Sequence, residues 1–366
     1  MYAFHLLTEH WLRYILTAFG ISLCVLLIIF LLALYKGVSY GSVEYVRASQ
    51  ADLWVLQKHA TNILRSTSLM PAYYGVALRK VKGVKSVSPV FFILASVRLN
   101  GTNATTYLTG FDLKTGIGGP PRLIEGRTVT SINEIVIDKA FAAKHHLKTG
   151  DKIQIKDDSL TITGISTGTN MFVIQYAFIS LEEAYFIIGF PGVVSCFQVN
   201  IQPGFKLGNV QASIQSKLKK VVSFDKETFV KNNIQEMDSG IIPLLFIVTF
   251  ISAIVLTAIL SLILSINVLE KRKDFAILKV LGSPRGFISG IVIEQSILLS
   301  LTGFVFAVIL YFPMISLIEK ITPEVSVMTT LSQLIIVLAG VNIISLASTI
   351  LPNRRIRQIY PLEVFL

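Results

Sequence analysis

Residues 239–282 read SGIIPLLFIVTFISAIVLTAILSLILSINVLEKRKDFAILKVLG. From Ser239 to Leu269 there is no Asp, Glu, Lys or Arg, a longer run than the roughly 20 apolar residues that carry a helix across a bilayer. At Glu270 the character changes at once: Glu270, Lys271, Arg272, Lys273 and Asp274 follow in succession, and then Phe275, Ile277, Leu278 and Leu281 recur at helical spacing. Gly282-Ser283-Pro284 closes the stretch, Gly permitting the C-cap and Pro forbidding continuation. The pattern predicts a membrane-spanning helix that leaves the bilayer and passes directly into a short amphipathic helix at the membrane surface.

Three other segments are equally free of charge: Tyr14–Tyr35, Gln295–Ile318 and Val325–Asn353. We therefore expect transmembrane helices at 14–36, 241–268, 287–312 and 331–351, with an amphipathic segment at 1–13, a surface helix within 269–285 and a tail at 352–366. The chain is 52% hydrophobic and 15% charged, whereas soluble domains carry about 25% charge. That balance excludes an ordinary soluble protein and a disordered or collagen-like one. Residues 37–238, by contrast, have ordinary soluble composition. The expected fold class is a four-helix membrane protein with a large α+β extracytoplasmic domain inserted between helices 1 and 2. A cleaved signal peptide at the N-terminus is disfavoured, because the apolar run exceeds the roughly 7–15 residues of an h-region and no convincing small-x-small site follows it.

Orientation is set by Lys and Arg in short segments. Lys271, Arg272, Lys273, Lys279 and Arg285 follow helix 2, Arg354, Arg355 and Arg357 follow helix 4, and Arg13 precedes helix 1; the loop between helices 3 and 4 offers only Lys320 beside Glu319 and Glu324. Both termini and the basic loop are expected in the cytoplasm, and the large domain outside. The net charge of +11 includes much of this topological charge, and no dense basic stripe with interleaved aromatics points to nucleic acid.

In the outer domain, 51–57 and 86–99 read as strands flanking a helix at 71–81 that starts on Pro71, and 196–202, 210–218 and 221–224 repeat the strand-helix-strand order. Two such halves, about 48–105 and 195–235, suit one ferredoxin-like sheet. The intervening 110–190, punctuated by Gly150-Asp151, reads as a separate β-rich lobe. Cys24 and Cys196 fall in the membrane and the outer domain and are not expected to pair. The sequons at Asn100 and Asn103 read as chance.

Catalytic constellations do not stand up. There is no Walker A loop and no Gly-Lys pair, no H-E-x-x-H, no Cys cluster and no G-x-S-x-G; His145 and His146 are adjacent on a helix and diverge rather than converge on a metal. Asp157-Asp158 reads as a turn. No catalytic, cofactor or metal site is expected, and any ATP and Mg must be bound by another chain.

Taken alone, the basic cluster after helix 2 suits anchoring among anionic headgroups. Glu270, Lys271, Arg272, Lys273, Asp274, Phe275, Ala276, Ile277, Leu278, Lys279, Val280, Leu281 and Gly282 are more specific. This run resembles the FtsX-like permease family, the ABC permeases of the macrolide-exporter and lipoprotein-release type, departing in Asp274 where Glu is usual and Val280 where Ala is usual. TEHWLRYILTAFGISL near the N-terminus, Glu125-Gly126-Arg127, Glu134-Ile135-Val136-Ile137, Lys148-Thr149-Gly150-Asp151, Ala347-Ser348, Leu351-Pro352 and Tyr360-Pro361-Leu362-Glu363 extend the resemblance over nearly the whole chain.

The resemblance implies a permease subunit in the bacterial inner membrane, without its own ATPase, that couples a partner's ATP hydrolysis to motion of the outer domains and drives export (efflux) or extraction of a lipidic or hydrophobic substrate. The partner is a cytoplasmic ABC ATPase subunit, docked on the helix around Glu270–Gly282 with Phe275, Leu278 and Leu281 as anchors and Glu270, Arg272, Asp274 and Lys279 as rim. A second permease copy or paralogue, membrane lipid, a periplasmic adaptor and an outer-membrane channel are the further candidate partners. Ala253, Thr257, Ser261 and Ser265 form a small-residue stripe suited either to a dimer seam or to packing within the chain. Glu294 is an acid within helix 3, a functional candidate by depth that also suits pairing with Arg285. Two rival functions remain at this stage: a transmitter that activates a cell-wall hydrolase, and a tethered enzyme or receptor with no ATPase.

Overall fold

The computed structural model describes residues 11–99, 102–171, 174–284 and 286–357. Most of the N-terminal segment, the Asn100-Gly101 pair of one sequon, Arg285 and the tail from 358 on, with Tyr360-Pro361-Leu362-Glu363, lie outside the described residues. The chain divides into two compact units: one holds residues up to Lys36, Ile242–Leu317 and those from Val327 on, the other Gly37–Ile241 with Ile318–Ser326.

In chain order, α1 (Trp11–Ala48) is followed by β1 (Leu53–Gln57), β2 (Met70–Pro71), α2 (Tyr74–Arg79), β3 (Val84–Leu99) and β4 (Thr102–Phe111). Next come β5 (Leu123–Gly126), β6 (Glu134–Asp138), α3 (Lys139–His145), β7 (Lys152–Ile155), β8 (Asp158–Ser166), β9 (Tyr176–Ser180) and α4 (Leu181–Ile188). The domain closes with β10 (Val193–Val194), β11 (Cys196–Ile201), α5 (Leu207–Lys217) and β12 (Val221–Asp225). Then follow α6 (Lys226–Glu270), α7 (Arg272–Val280), α8 (Phe287–Ile321), α9 (Leu331–Ser348) and α10 (Ile350–Arg357).

Among the described residues four helical segments are long and apolar enough to cross a membrane. Two of them run well past the expected limits. The helix expected at 14–36 continues to Ala48, and the one expected at 241–268 begins at Lys226. The extensions persist because their inner faces are covered: Tyr45 and Val46 on α1 and Phe229 on α6 are buried in the outer domain. The third helix likewise continues past 312 to Ile321, carrying Pro313 inside it, and the fourth gives way to α10 after a turn at Thr349.

The outer domain is built on one ten-stranded sheet in the order β12-β1-β11-β3-β4-β9-β6-β8-β5, with β7 pairing β3 and β8. Neighbours among its first four strands are antiparallel, with Leu53 opposite both Val199 and Asp225, the split βαβ arrangement. β1 is buried on both faces because its alternating side chains meet different layers. Leu53 and Val55 join Leu78 of α2 and Val210 and Ile214 of α5. Trp54 and Leu56 join Tyr45, Val46 and Phe229, and the Trp54 and Phe229 rings stack at 4.9 Å. Lys226 Nζ donates to the Ser49 carbonyl at 2.8 Å, tying the end of α1 to the start of α6.

The expected separate lobe at 110–190 is corrected. β3 pairs with β11 up to Val90 and with β4 from Val90 to Leu99, so a single 16-residue strand belongs to both halves and carries the sheet through. Gly126 shows why the Glu-Gly-Arg triplet needs glycine: at φ +72°, an added Cβ would lie 2.2 Å from the Thr163 carbonyl oxygen. Next to it Arg127 forms two bonds to Glu134, Nη1 to Oε2 at 2.8 Å and Nη2 to Oε1 at 2.5 Å. The Thr130 and Ser131 N–H groups donate to the same carboxylate. The Arg127 guanidinium holds the Glu134 carboxyl far below the usual range, against the opposing effect of partial burial.

Candidate functional site

α7 begins one residue after α6 ends. The Lys271 N–H still donates to Asn267 O at 3.1 Å and the Phe275 N–H to Lys271 O at 3.0 Å, so the chain turns at Lys271 without an intervening loop. At the other end Gly282 takes φ +82°. The Ser283 N–H reaches Leu278 O at 3.0 Å and the Gly282 N–H reaches Lys279 O at 3.1 Å, the paired bonds that terminate a helix on a left-handed glycine. Lys279 Nζ donates to the Ile356 carbonyl of α10 at 2.8 Å, so the far side of α7 is fastened as well.

The faces of α7 differ from expectation. Phe275 is only 2% exposed and, with Ala276, belongs to the core formed with Leu264, Val268, Ile288 and Ile356; Leu278 packs partly against it. Of the three expected anchors, Phe275 thus packs within the chain, Leu278 does so in part, and Leu281 is exposed. The apolar side chains left outside are Ile277, Val280 and Leu281, which stand at i, i+3 and i+4 and so form one stripe. Glu270, Arg272, Asp274 and Gly282 are exposed around it, while Lys279 is half-buried; Lys271 and Asp274 approach to 3.9 Å. Ile277 and Val280 were not among the expected anchors because both faces of this helix are apolar, and periodicity does not say which one the protein keeps for itself.

One ion pair joins the connection between α8 and α9 to the outer domain. Glu324, between α8 and α9, accepts from Lys144 of α3 at 2.5 Å, and Asn170 Nδ2 donates to the Glu324 carbonyl at 2.9 Å. That connection belongs with the outer domain.

Within the membrane helices, Leu256, Leu260, Leu264 and Val268 of α6 are buried at four-residue spacing. The small-residue stripe lies beside them, with Ala253, Thr257 and Ser261 half-buried and Ser265 buried; Thr257 Oγ1 donates to Ala253 O at 2.7 Å. Glu294 is exposed on α8, whereas its neighbour Ser296 is buried against α9, donating to Ser345 O at 2.9 Å and lying 2.7 Å from Ser345 Oγ. This serine cluster escaped the sequence reading, which looked for charge rather than hydroxyls. Both cysteines are free, and among the described residues no three His, Cys, Asp or Glu side chains are grouped to hold a metal ion.

Four helices long and apolar enough to span a membrane, an α+β domain between the first two, and a short fastened helix directly after the second are the features of an ABC-transporter-type permease. The family model described as MacB-like periplasmic core domain matches residues 14–217, and that described as FtsX-like permease C-terminal matches 246–361. The chain belongs to this MacB and FtsX-like permease family. It is 24% identical over 335 residues to an uncharacterized ABC transporter permease of Methanocaldococcus jannaschii, covering 84% of this chain and 81% of that one. Among solved structures it is similar to the periplasmic region of MacB from Actinobacillus actinomycetemcomitans, at 14% identity over 52% of this chain and 95% of that one, with a TM-score of 0.40. A further likeness is to the extracellular domain of the noncanonic ABC-type transporter YknZ from Gram-positive bacteria, at 13% identity over 48% of this chain and 99% of that one, with a TM-score of 0.37. The family is one of ABC transporter permeases, and membership implies an ATPase partner.

Proposed function

We propose that this chain is the permease half of an exporter in the cytoplasmic membrane of a bacterium, with both termini in the cytoplasm. A separate ATPase subunit docks on the Ile277, Val280 and Leu281 stripe of α7, and its closure on ATP is carried up α6 to the outer domain. The observation that carries the reading is α7 itself: an exposed apolar stripe on a helix fastened at both ends, continuous with the helix that roots the outer domain. An amphipathic helix in a groove docks through apolar anchors at this spacing, with a charged rim setting register; Glu270, Arg272 and Asp274 supply that rim. Two copies pair, or this chain pairs with a related permease, and the work is done on a lipidic or hydrophobic substrate met outside the membrane. An adaptor and an outer-membrane channel complete the route in a two-membrane cell.

The test is mild-detergent purification of the tagged chain from its native membrane with mass spectrometry of what accompanies it. An ABC ATPase subunit is the expected companion. Its absence, even after crosslinking at the cytoplasmic face, overturns the reading, and a cell-wall hydrolase recovered in place of any export partner replaces transport with signalling.

A further inference from the structure

A cavity of about 600 Å³ opens on the outer domain between β3 and the loop that joins β1 to β2. Ile63, Leu64, Phe92 and Leu94 are among its walls, and Arg65 is the one charged residue among those that line it. Concave, largely apolar sites with a few placed polar groups are where small molecules bind. The mouth is apolar too: Leu69, Leu94 and Phe190 are all exposed.

The cavity wall is built rather than loose. Asn62, itself 2% exposed, accepts from the Arg65 and Ser66 N–H groups at 2.8 and 3.1 Å. Asn233 of α6 accepts from the Ile63 N–H at 3.0 Å, Tyr107 donates to the Ile63 carbonyl at 2.9 Å, and Ser68 donates to the Ser195 carbonyl at 2.5 Å. These bonds fasten the loop to the sheet and to α6, which fixes the wall of the cavity.

Its position identifies the occupant. The Arg65 guanidinium lies against Gly240 of α6, close enough that a Cβ there would sit 2.8 Å from Nη2. Gly240 is followed directly by Ile241 and the apolar membrane run. Arg65 therefore stands beside the residue from which the apolar run of α6 continues, at the edge of an apolar cavity. Its protein partner there, Glu236, is 3.4 Å away in a solvent-exposed pair that contributes little and exchanges readily, whereas phosphate accepts two guanidinium bonds in parallel.

We propose that this cavity is a binding site for a phosphate-headed amphiphile drawn from the outer surface of the bilayer, its acyl chain between the 62–69 loop and β3 and its phosphate on Arg65. The proposal deepens the exporter reading and rests on it for the claim that the bound amphiphile is cargo. It assigns the cavity to a lipid rather than to a second protein.

The test uses the full-length chain in phosphatidylcholine nanodiscs and two photoreactive probes with the same diazirine-tagged palmitoyl chain, one on lysophosphatidylglycerol and one on an uncharged maltoside. Mapped by peptide mass spectrometry, adducts of both probes are expected within 62–69 and 188–196. The doubly exposed variant L69D/F190D, with its melting temperature checked against the parent, is expected to lose labelling at least tenfold. R65Q is expected to lower labelling by the phosphate probe several-fold and leave the maltoside probe unchanged. Labelling confined to the membrane helices, or unchanged in L69D/F190D, overturns the site, as does crosslinking of these residues to a second copy in place of the probe. An equal effect of R65Q on both probes overturns the phosphate assignment. An unlabelled cavity in a chain that still co-purifies with an ATPase removes only the site; a labelled cavity in a chain with no ATPase removes the exporter reading and leaves the site.

Discussion

Replacing the outward stripe of α7 and replacing its inward phenylalanine should have opposite consequences. Ile277, Val280 and Leu281 are 43%, 54% and 77% exposed. At about 1.5–3 kcal/mol for full burial of one such side chain, covering what remains exposed contributes about 3–5 kcal/mol to docking. At 1.4 kcal/mol per decade this is about two to four decades in Kd. The variant I277D/V280D/L281D should therefore lose the ATPase subunit in pull-downs at micromolar protein, while its melting temperature in detergent stays near that of the parent, because exposed positions away from packing change stability little. Phe275→Ala removes a side chain from the helix core and should cost about 3–5 kcal/mol of stability, seen as a lower melting temperature and a poorer yield of intact protein. Binding by the surviving folded fraction should persist. Wild-type affinity in the triple aspartate variant, or loss of the ATPase in Phe275→Ala without loss of stability, would refute the assignment of the two faces.

Three further expectations concern the packing that supports the site. Gly126→Ala meets both a left-handed φ and the Thr163 carbonyl; strain and overpacking together should cost about 2–4 kcal/mol, and a change below about 0.5 kcal/mol in thermal unfolding would remove the steric argument. Because the folded Glu134 carboxyl is depressed by Arg127, its contribution to stability is fully present above the unfolded value of about 4.3 and declines as pH falls below it toward the folded value. The melting temperature of Glu134→Gln should consequently fall less steeply between pH 5 and pH 3 than that of the parent, and parallel curves would assign the acid sensitivity elsewhere. Ser296→Ala removes the donor to Ser345 between α8 and α9 and should lower resistance to denaturing detergent by about 0.5–2 kcal/mol; an unchanged midpoint would make the serine cluster incidental.

The membrane helices were legible because a charge-free run is a nearly unambiguous signal, whereas their ends were not. Nothing in 37–48 or 226–240 breaks a helix, and only the packing of Tyr45 and Phe229 against Trp54 decides that those segments stay helical inside a soluble domain. The paired strand-helix-strand segments could be read from their order. The continuity of the sheet could not, because it depends on two partners sharing β3, a pairing that leaves no local trace in 84–99. At α7 the motif was legible and its orientation was not: burial of Phe275 depends on Leu264 and Val268 of α6 and Ile288 of α8, all remote from it in three dimensions until the helices assemble. The cavity beside Arg65 was invisible for the same reason, since residues 62–69 carry no pattern of their own and acquire their shape from Asn233 and Ser195.

The rooting of the outer domain has a mechanical consequence. β12 passes into α6 with no linker, Asp225 being followed directly by Lys226, and the Thr228 N–H donates to the Asp225 carboxylate at 3.0 Å. Phe229 on the first turns of α6 and Tyr45 on the last turns of α1 form one face of the layer that buries Trp54 of β1. A rotation or shift of either helix therefore meets a close-packed aromatic cluster, which transmits displacement because interiors at crystal-like density deform little. Flexible linkers would instead have let the helices move while the domain stayed still. The one interruption within α6, Pro243, lies two residues beyond the domain boundary at Ile241, where a missing backbone donor lets the helix bend. The proposed coupling to an ATPase rests on this continuity of β12 with α6 and on the packing of Tyr45 and Phe229 around Trp54.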